Sequence, residues 1–452
     1  MTTRQTADDL IKEFMRHHPK GFDLSLGRIS DLLEKLGSPQ NKLPPIFHIA
    51  GTNGKGSASA YLRSLLEEAG YGVHVHTSPH LVHWHERYRL AQNTRASQNG
   101  QKTSSQFVDD GVLADVLQRI NTANAGAAIT VFEILTAAAF LLFAEHPADA
   151  IILEVGLGGR FDATNVIASP AVSLIMPISL DHQAFLGDTI AAIAGEKAGI
   201  IKKNCPVVIS AQQSDEALDV LTTLAQKNHA PTYIFGQDFT AYEEHGRMAF
   251  QNEQGLIDLP LPQLNGAYQI QNAASAIQAV KVAGFAIQDE QIANALRHVY
   301  WPGRMQKLVS GALLDHAAKN CDIWIDGGHN PAAGAVTVAA LKKIMSNQYD
   351  RLYLIAGMIN TKDSQSYFEN FACLSPMVFT VPVQSSDAGI DPKDLAAMAK
   401  AAKLDATATG SIDEALQEIA TINDESKRSL ILICGSLYLA GDALNQNGTP
   451  PR

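Results

Sequence analysis

Short apolar runs alternate along this chain with segments whose apolar residues recur at helical spacing. Residues 43–49, 150–154 and 171–178 are apolar runs short enough to be buried strands. Residues 58–69 instead place their apolar residues on one face of a helix. Because strands and helices alternate in this way, the pattern predicts an α/β protein.

Further segments fit the same pattern. Residues 8–14 and 26–36 are predicted to form two helices before the first strand, and residues 71–76 a second strand. The longest apolar run, residues 128–144, contains a glutamate and is too short to cross a membrane, so we predict a buried helix. Residues 91–110 are rich in Ser, Gln, Asn and Gly, and we expect them to form an exposed, mobile excursion.

A break in the pattern predicts a boundary between two α/β units. Proline and glycine in the sequence Trp301-Pro-Gly-Arg304 interrupt the helical spacing of residues 288–299. Beyond this point, residues 321–331 again read as strand, turn and helix, and two later apolar runs, 352–357 and 430–434, end in glycine-containing turns. We therefore predict one domain over residues 1–301 and a smaller one over 302–452.

Composition and charge narrow the class of ligand. Among 452 residues, 46 acidic and 35 basic side chains give a net charge of −11, which argues against non-specific binding to nucleic acid or to an anionic membrane. Any anionic ligand must then be held by local positive groups. The four cysteines, Cys205, Cys321, Cys373 and Cys434, are far apart and include no C-x-x-C pair, which favours reduced thiols and a cytoplasmic enzyme. The first twenty residues lack the apolar core of a signal peptide.

The sequence His48-Ile-Ala-Gly-Thr-Asn-Gly-Lys-Gly-Ser57 lies between a predicted strand and a predicted helix. Its three glycines can adopt backbone angles that turn N–H groups toward an anion at the helix start. Lys55 would add a positive charge, and the Ser57 hydroxyl could reach a phosphate or its Mg²⁺. The strict nucleotide-loop motif is not met, because Ile49 and Gly56 stand where it has glycine and Ser or Thr. A glycine-rich turn with a solvated lysine is the alternative.

Several other residues allow more than one interpretation from the sequence alone. Glu154 ends a predicted central strand, where it could bind Mg²⁺ or cap a turn. His182 could be a general base or a buried structural histidine. Lys197 could be an exposed helix lysine. A transition-metal site is a further hypothesis for the five histidines between residues 74 and 85, but no cysteine or carboxylate spacing supports it.

Together these motifs resemble one known family. The sequences Gly51-Thr-Asn-Gly-Lys-Gly-Ser57, Ser78-Pro-His80 and Glu154-Val-Gly-Leu-Gly-Gly-Arg-Phe-Asp-Ala-Thr-Asn165 are similar to those of the folate branch of the Mur ligase superfamily, the folylpolyglutamate and dihydrofolate synthases. The family pattern Gly-x-x-Gln-x-x-Asn is matched by Gly266, Gln269 and Asn272. Matches run in family order from Asp23 to Gly441. One departure is Gly328, where family members usually have alanine.

The resemblance implies a Mur ligase-like α/β fold and an ATP-dependent ligase. Its amino-terminal domain would be P-loop-type and bind ATP and pterin, and its carboxy-terminal, glutamate-ligase domain would be Rossmann-like. The implied reaction adds L-glutamate to dihydropteroate and to reduced folates through an acyl phosphate. A single-activity folylpolyglutamate synthase is the main alternative; a peptidoglycan Mur ligase or a non-catalytic ATP-binding module is less favoured. The family leans toward monomers, and neither nucleic acid nor membrane is an expected partner.

The resemblance also implies site residues, which we name by the ligand each would contact. For ATP they are Gly54, Lys55, Gly56, Ser57, Asn272, Arg304 and Asp326. For two Mg²⁺ ions they are Ser78, Glu154 and His182. For dihydropteroate or folate they are Asp23, Thr130, Val131, Phe132, Phe161, Asp162 and Ala163. Weaker matches, Lys362 and Ser436, would contact glutamate or phosphate. The implied catalytic residues are Lys55, His182, His329 and Lys197, the last in carbamylated form, because a carbamate supplies anionic oxygens where an ammonium would be repelled by the metal ions.

Overall fold

The structure, a computed structural model of the chain, describes residues 6–17, 25–98, 101–346 and 348–452. The chain forms two compact units, the first drawn from Met1–Gln263 and Ile270–Val299 and the second from Leu264–Gln269 and Tyr300–Arg452. Both units are α/β, as the hydrophobic pattern predicts. The predicted boundary at residue 301 and the roles assigned to the two domains stay predictions. In the ranges described, no helix is both long and apolar enough to span a membrane.

An eight-stranded mixed sheet forms the centre of the first unit. Its strands are Ile46–Ala50 (β1), Val73–His76 (β2), Tyr88–Ala91 (β3), Ser105–Phe107 (β4), Ala150–Glu154 (β5), Val172–Ile175 (β6), Val207–Ile209 (β7) and Thr232–Ile234 (β8). Along the sheet they lie in the order β4-β3-β2-β5-β1-β6-β7-β8. The six strands from β2 to β8 in this order are parallel, whereas β3 and β4 extend the edge in antiparallel pairing. Strands β1, β2, β5, β6 and β7 are buried at every position, which explains why all except β2, whose sequence is Val-His-Val-His, are mainly apolar.

Helices connect these strands. Up to residue 298 they are Ala7–His17 (α1), Gly27–Lys35 (α2), Lys55–Glu68 (α3), Arg95–Gln98 (α4), Asp110–Asn124 (α5), Val131–Glu145 (α6), Gln183–Leu186 (α7), Ile190–Lys197 (α8), Asp215–Lys227 (α9), Tyr268–Val282 (α10) and Asp289–His298 (α11). The predicted buried helix is confirmed as α6, which is buried continuously from Glu133 to Phe143. It begins at residue 131 because Thr130 caps it: the Thr130 hydroxyl accepts from Glu133 N–H, and the Glu133 carboxylate accepts from Thr130 N–H.

The predicted excursion at 91–110 is partly wrong. Residues 105–107 form strand β4, which pairs with β3. The Thr103 N–H donates to the Glu67 carbonyl at 3.1 Å, and the Ser105 hydroxyl donates to the Glu67 carboxylate at 2.6 Å. This stretch is therefore hydrogen-bonded to the end of α3 and to the sheet, although its polar composition gave no sign of it.

A second, small sheet was also missed. Strands Phe239–Glu244 (β9), Arg247–Asn252 (β10) and Gly255–Pro260 (β11) form an antiparallel meander in the order β11-β10-β9. Two-residue turns join the strands, at His245-Gly246 and Glu253-Gln254. Because only part of one face is buried, the strands keep many polar residues and read as a variable polar stretch in the sequence.

The second unit contains a six-stranded sheet. Its strands are Gln306–Lys307 (β12), Cys321–Ile325 (β13), Arg351–Ala356 (β14), Met377–Thr380 (β15), Asp405–Ala408 (β16) and Ser429–Cys434 (β17). They lie in the order β12-β13-β17-β14-β15-β16, all parallel except β12. Its helices are Leu313–His316 (α12), Pro331–Met345 (α13), Ser364–Glu369 (α14), Pro392–Ala401 (α15), Ile412–Ile422 (α16) and Leu437–Gln446 (α17). The three strands predicted from sequence are confirmed as β13, β14 and β17, which are neighbours in this sheet.

Histidines occupy buried positions inside the first sheet. His48 of β1 is fully buried, and its Nε2 lies 2.9 Å from the Thr164 hydroxyl. Thr164 donates its own proton to Asp162, so His48 Nε2–H is the donor in this pair. Burial, together with a smaller effect of the positive charge of Lys202, lowers the pKa of His48 to about 3. His48 is therefore neutral in the folded protein.

This burial predicts a loss of stability in acid. Between the folded pKa of about 3 and the ordinary value of 6.5, the unfolded chain binds a proton at His48 that the folded chain does not. The free energy of unfolding should therefore fall as the pH decreases from about 6.5 toward 3. We expect the free energy of unfolding of His48→Gln, measured with urea at several pH values, to fall less steeply than that of the wild type. The slopes should differ by up to about 1.4 kcal/mol per pH unit.

His245→Gln is the matched control, because His245 lies exposed in the turn between β9 and β10. This variant should keep the wild-type pH dependence. The same slope in His48→Gln as in the wild type would contradict the prediction.

Candidate functional site

The glycine-rich loop joins the end of β1 to the start of α3. Gly51 has a φ of 150° and Gly54, the residue before the helix, has a φ of 84°. A Cβ atom at Gly51 would lie 2.6 Å from the Cβ of Met176, which follows β6. Glycine is thus required at residue 51 because two backbones approach closely, and at residue 54 because of its left-handed conformation.

The loop offers fewer backbone donors to an anion than the sequence suggests. The N–H groups of Thr52 and Asn53 both donate to the Pro177 carbonyl, at 2.9 and 3.2 Å. The first hydrogen bond within α3 runs from Ala58 N–H to the Gly54 carbonyl, so the N–H groups of Lys55 and Gly56 precede it. These groups at the positive end of the helix are the donors placed for a phosphate.

The side chains of this loop are also held in place. The Lys55 ammonium donates to the Gly51 carbonyl at 3.0 Å. The Thr52 hydroxyl donates to the Ser179 carbonyl at 3.0 Å and accepts from Ser179 N–H at 3.1 Å. Ser57, in the first turn of α3, is buried. The loop after β1 therefore rests on the turn after β6, a contact for which the sequence contains no recognised motif.

The predicted metal ligands lie at or after the ends of β2, β5 and β6, which together with β1 form four adjacent strands of the sheet. Glu154 is the buried last residue of β5, beside Ile49 of β1 in the sheet register. Ser78 follows β2, which pairs with β5, and His182 follows β6, which pairs with β1. Because these strands are parallel and adjacent, the residues emerge at one edge of the sheet, where the glycine-rich loop also lies.

Ser78 has the environment expected of a ligand for a cation. Its hydroxyl oxygen is buried and forms no hydrogen bond with the part of the chain that the structure describes. Together with the buried carboxylate of Glu154, this oxygen suits a hard cation such as Mg²⁺. His182 adopts a left-handed conformation with a φ of 53°, and its N–H is fixed by the Asp181 carboxylate at 2.9 Å.

The histidines between residues 74 and 85 are placed by packing and hydrogen bonds. His74 stacks on Phe143 and His76 stacks on Tyr88. The Arg87 guanidinium donates to His80 Nδ1 at 3.0 Å. Burial and the charge of Arg87 lower the pKa of His80 to about 3. Within the described ranges, no group of three or more His, Cys, Asp or Glu residues is arranged to hold a metal ion.

Lys197 lies at the end of α8, against the turn that follows β5. This side chain is only 5% exposed. The Arg160 N–H donates to the Glu196 carbonyl at 2.8 Å, and a Cβ at Gly159 would lie 2.6 Å from the same oxygen. The Gly-Gly-Arg turn therefore packs directly on the helix end that carries Lys197.

The residues predicted to contact the pterin belong to two segments. Thr130 caps α6, and the Phe132 ring lies over Gly156, where a Cβ would come within 2.3 Å of the ring. Arg28 of α2 forms an ion pair with Glu133 at 3.1 Å, next to this cap. Val131 is the first residue of α6. Asp23 lies outside the described residues.

The second pterin segment is the turn after β5. Phe161 is 42% exposed, whereas Asp162 and Ala163 are buried. The Asp162 carboxylate accepts from Leu157 N–H at 2.8 Å and from Thr164 N–H at 2.9 Å. Burial raises the pKa of Asp162, although these hydrogen bonds oppose the shift. Asp162 thus organises its own turn.

Asn272 is placed beside the glycine-rich loop. It is buried in α10, and a Cβ at Gly54 would lie 2.9 Å from its side-chain oxygen. This position suits the predicted contact with the nucleotide, since residue 54 begins the phosphate-binding turn.

In the second unit, Arg304 and Asp326 are close to each other. A Cβ at Gly327 would lie 3.2 Å from an Arg304 guanidinium nitrogen. The buried Asp326 carboxylate accepts from Met305 N–H at 3.0 Å and from Gly328 N–H at 2.8 Å. Burial raises the pKa of Tyr268, with a further increase from the charge of Asp326 and an opposing effect from Arg304.

The remaining predicted residues of this unit follow its central strands. His329 Nδ1 donates to the Gly327 carbonyl at 3.0 Å. Ser436 is buried and caps α17, accepting from Tyr438 N–H at 3.1 Å. Lys362 lies in the turn after β14, where its N–H donates to the Ile359 carbonyl at 3.2 Å. Asp326 and Ser436 emerge at one sheet edge because β13 and β17 are paired in parallel.

Two family models match the chain. Residues 49–280 match the Mur ligase middle domain, and residues 312–446 match the dihydrofolate synthetase C-terminal domain. The dihydrofolate synthase/folylpolyglutamate synthase of Bacillus subtilis (strain 168) is 31% identical over 436 residues, which cover 93% of this chain and 94% of that protein.

Solved structures agree with this assignment. E. coli FolC in complex with DHPP and ADP has a TM-score of 0.84 and 26% identity, covering 98% of this chain and 97% of FolC. A bifunctional folylpolyglutamate synthase/dihydrofolate synthase with Mn, AMPPNP and L-glutamate bound has a TM-score of 0.81 and 25% identity, covering 98% and 99%. The fold is thus Mur ligase-like, and the chain belongs to the family of dihydrofolate synthases and folylpolyglutamate synthases.

Proposed function

We propose that this chain is an ATP-dependent amide ligase that adds L-glutamate to dihydropteroate and to reduced folates. The observation that carries the proposal is the convergence, at one edge of four adjacent parallel strands, of the Lys55 loop with Ser78, Glu154 and His182. Positive and metal-binding groups are thereby concentrated where phosphates must be held. Family membership specifies folates as the acceptors.

The proposed reaction has two steps. The acceptor carboxylate attacks the γ-phosphorus of ATP, which gives an acyl phosphate and ADP. The amine of L-glutamate then attacks the acyl carbon, an amide bond forms, phosphate leaves and the amine loses a proton. No covalent enzyme nucleophile is needed, so the protein acts by positioning its substrates and by stabilising negative charge.

Residues of the first unit would bind the nucleotide. The N–H groups of Lys55 and Gly56, the Lys55 ammonium and Ser57 would contact its phosphates, and Asn272 would contact its base. In the second unit, Arg304 would contact the phosphates and Asp326 the ribose, with His329 near the reacting groups. Their roles rest on the family motif and on the positions described above.

Ser78, Glu154 and His182 would hold Mg²⁺. The buried Ser78 oxygen and the buried Glu154 carboxylate support this assignment because both fit a hard cation. The bound metal would neutralise phosphate charge during transfer. We propose two such ions, and a carbamylated Lys197 that supplies anionic oxygens beside them.

Acceptor and glutamate sites complete the proposal. Asp23, Thr130, Val131, Phe132, Phe161, Asp162 and Ala163 would contact dihydropteroate or folate, and Lys362 and Ser436 would contact glutamate. The Phe132 ring over Gly156 supports a site for a flat aromatic ligand. We further propose that the enzyme acts in the cytoplasm as a monomer.

Glutamate-dependent ADP release tests the activity. With Mg²⁺ and ATP, the purified protein should release ADP when either dihydropteroate or tetrahydrofolate is the acceptor, and omitting L-glutamate should abolish turnover. Turnover with tetrahydrofolate alone would leave a single-activity folylpolyglutamate synthase. Absence of ADP release with both acceptors would contradict the proposal.

Replacing Lys197 tests the carbamate. Lys197→Ala should lower kcat about a hundredfold or more, because it removes the carbamate oxygens that we propose lie beside the metal ions during phosphoryl transfer. Added propionate should restore part of the activity, since its carboxylate can occupy the space left by the carbamate. Steady-state ADP release measures both effects.

Lys203→Ala is the matched control, because Lys203 lies six residues away and is exposed. It should retain wild-type turnover and show no response to propionate. Equal turnover in the two variants would contradict a role for Lys197.

A further inference from the structure

The turn after β6 determines where the glycine-rich loop lies. The Pro177 carbonyl accepts the N–H groups of both Thr52 and Asn53, and Ser179 exchanges two hydrogen bonds with Thr52. Thr52 and Asn53 immediately precede Gly54 and the first turn of α3. Any displacement of the turn at residues 176–179 would therefore displace the N–H groups predicted to bind phosphate.

Gln212 holds this turn from the neighbouring strand. It follows β7 and is half-buried. Its side-chain oxygen accepts from Ile178 N–H at 3.0 Å, and its side-chain nitrogen donates to the Ser210 carbonyl at 2.9 Å. Ser210 N–H in turn donates to the Ile175 carbonyl at the end of β6. Both ends of the amide are thus used to connect the end of β7 with the turn after β6.

The same short segment also contacts the helix that carries Asn272. The Ser275 hydroxyl of α10 donates to the Ser210 hydroxyl at 2.8 Å, and both residues are buried. Asn272 lies one helical turn before Ser275, beside Gly54. Residues 210–212 therefore contact two segments: the turn that holds the predicted phosphate-binding loop, and the helix that carries the predicted base-binding residue.

We propose that Gln212 is a positioning residue for the nucleotide. It need not touch the nucleotide, because it acts through Ile178 and Pro177 on the backbone of Thr52 and Asn53. This inference rests on the proposed function, which assumes that phosphates bind at the Lys55 loop. It assigns a function to a glutamine that no motif in the sequence identifies.

The test uses Gln212→Met, which keeps the length of the side chain but removes its hydrogen bonds with Ile178, Ser210 and, at 3.5 Å, the Met176 carbonyl. The dissociation constant for ADP in the presence of Mg²⁺ should rise about fivefold to tenfold, because a loop that has lost its support must be ordered when the nucleotide binds. Amide hydrogen exchange, measured without ligand, should become faster at Thr52 and Asn53. A residue that merely fills space would not change exchange in this distant segment.

Gln212→Glu provides the conservative variant. Its carboxylate still accepts from Ile178 N–H but cannot donate to the Ser210 carbonyl, so we expect a rise of about threefold in the dissociation constant. If Gln212→Met does not fold, the proposal is tested with Gln212→Glu alone. An ADP dissociation constant equal to that of the wild type would then overturn the proposal.

Gln213→Met is the matched control, because Gln213 is the next residue and is exposed. It should leave ADP binding and exchange unchanged. If Gln212→Met behaves like this control in both measurements, Gln212 does not position the loop. Failure of the wild-type protein to bind ADP would instead count against the proposed function. The role of Gln212 could still be judged in that case, because the hydrogen-exchange comparison needs no ligand.

Discussion

The close approach of two strand ends, at Gly51 and Met176, is the constraint on which the candidate site depends. A Cβ at Gly51 would lie within 2.6 Å of Met176, so only glycine lets the loop after β1 lie on the turn after β6. Once there, the loop satisfies two of its N–H groups at a single carbonyl, that of Pro177. The residues between β1 and α3 are thereby fixed by protein contacts before any ligand binds. This preorganisation is what a site for phosphoryl transfer requires, because little reorganisation is left for the reaction itself.

The same arrangement explains how a chain with a net charge of −11 can bind several anions. Charges farther away than about 8 to 10 Å are largely screened at physiological ionic strength, so the electrostatic potential at the site is set by the groups close to it. At the sheet edge these are the start of α3, the Lys55 ammonium and the oxygen ligands suited to a cation. The negative residues elsewhere in the chain have little effect at that distance.

The sequence predicted most reliably the strands that lie within longer apolar runs. Strands β1, β5, β6, β13, β14 and β17 have largely apolar sequences because most of their residues are buried. Strands β3, β4, β7, β8, β12, β15 and β16 were missed because each has only two to four residues, too few to give a clear pattern. Strands β9, β10 and β11 were missed because they form a small sheet that is only partly buried. The glycine-rich loop was found because glycine is required there by backbone geometry. Pro177, Ser179 and Gln212 could not be found in this way, because each acts through a contact between segments that are distant in sequence.

Asp162 shows how the structure refines a role suggested by resemblance. Its carboxylate accepts from Leu157 N–H, from Thr164 N–H, from the Thr164 hydroxyl and from Gly156 N–H. A carboxylate offers about four acceptor positions, so these bonds use its capacity. A pterin N–H could then bind Asp162 only by displacing one of them. Because Thr164 also accepts from His48 of β1, the turn that presents Phe161 is tied to the strand that leads into the glycine-rich loop. The simplest role for Asp162 is therefore to fix the shape of the predicted acceptor site relative to the phosphate site.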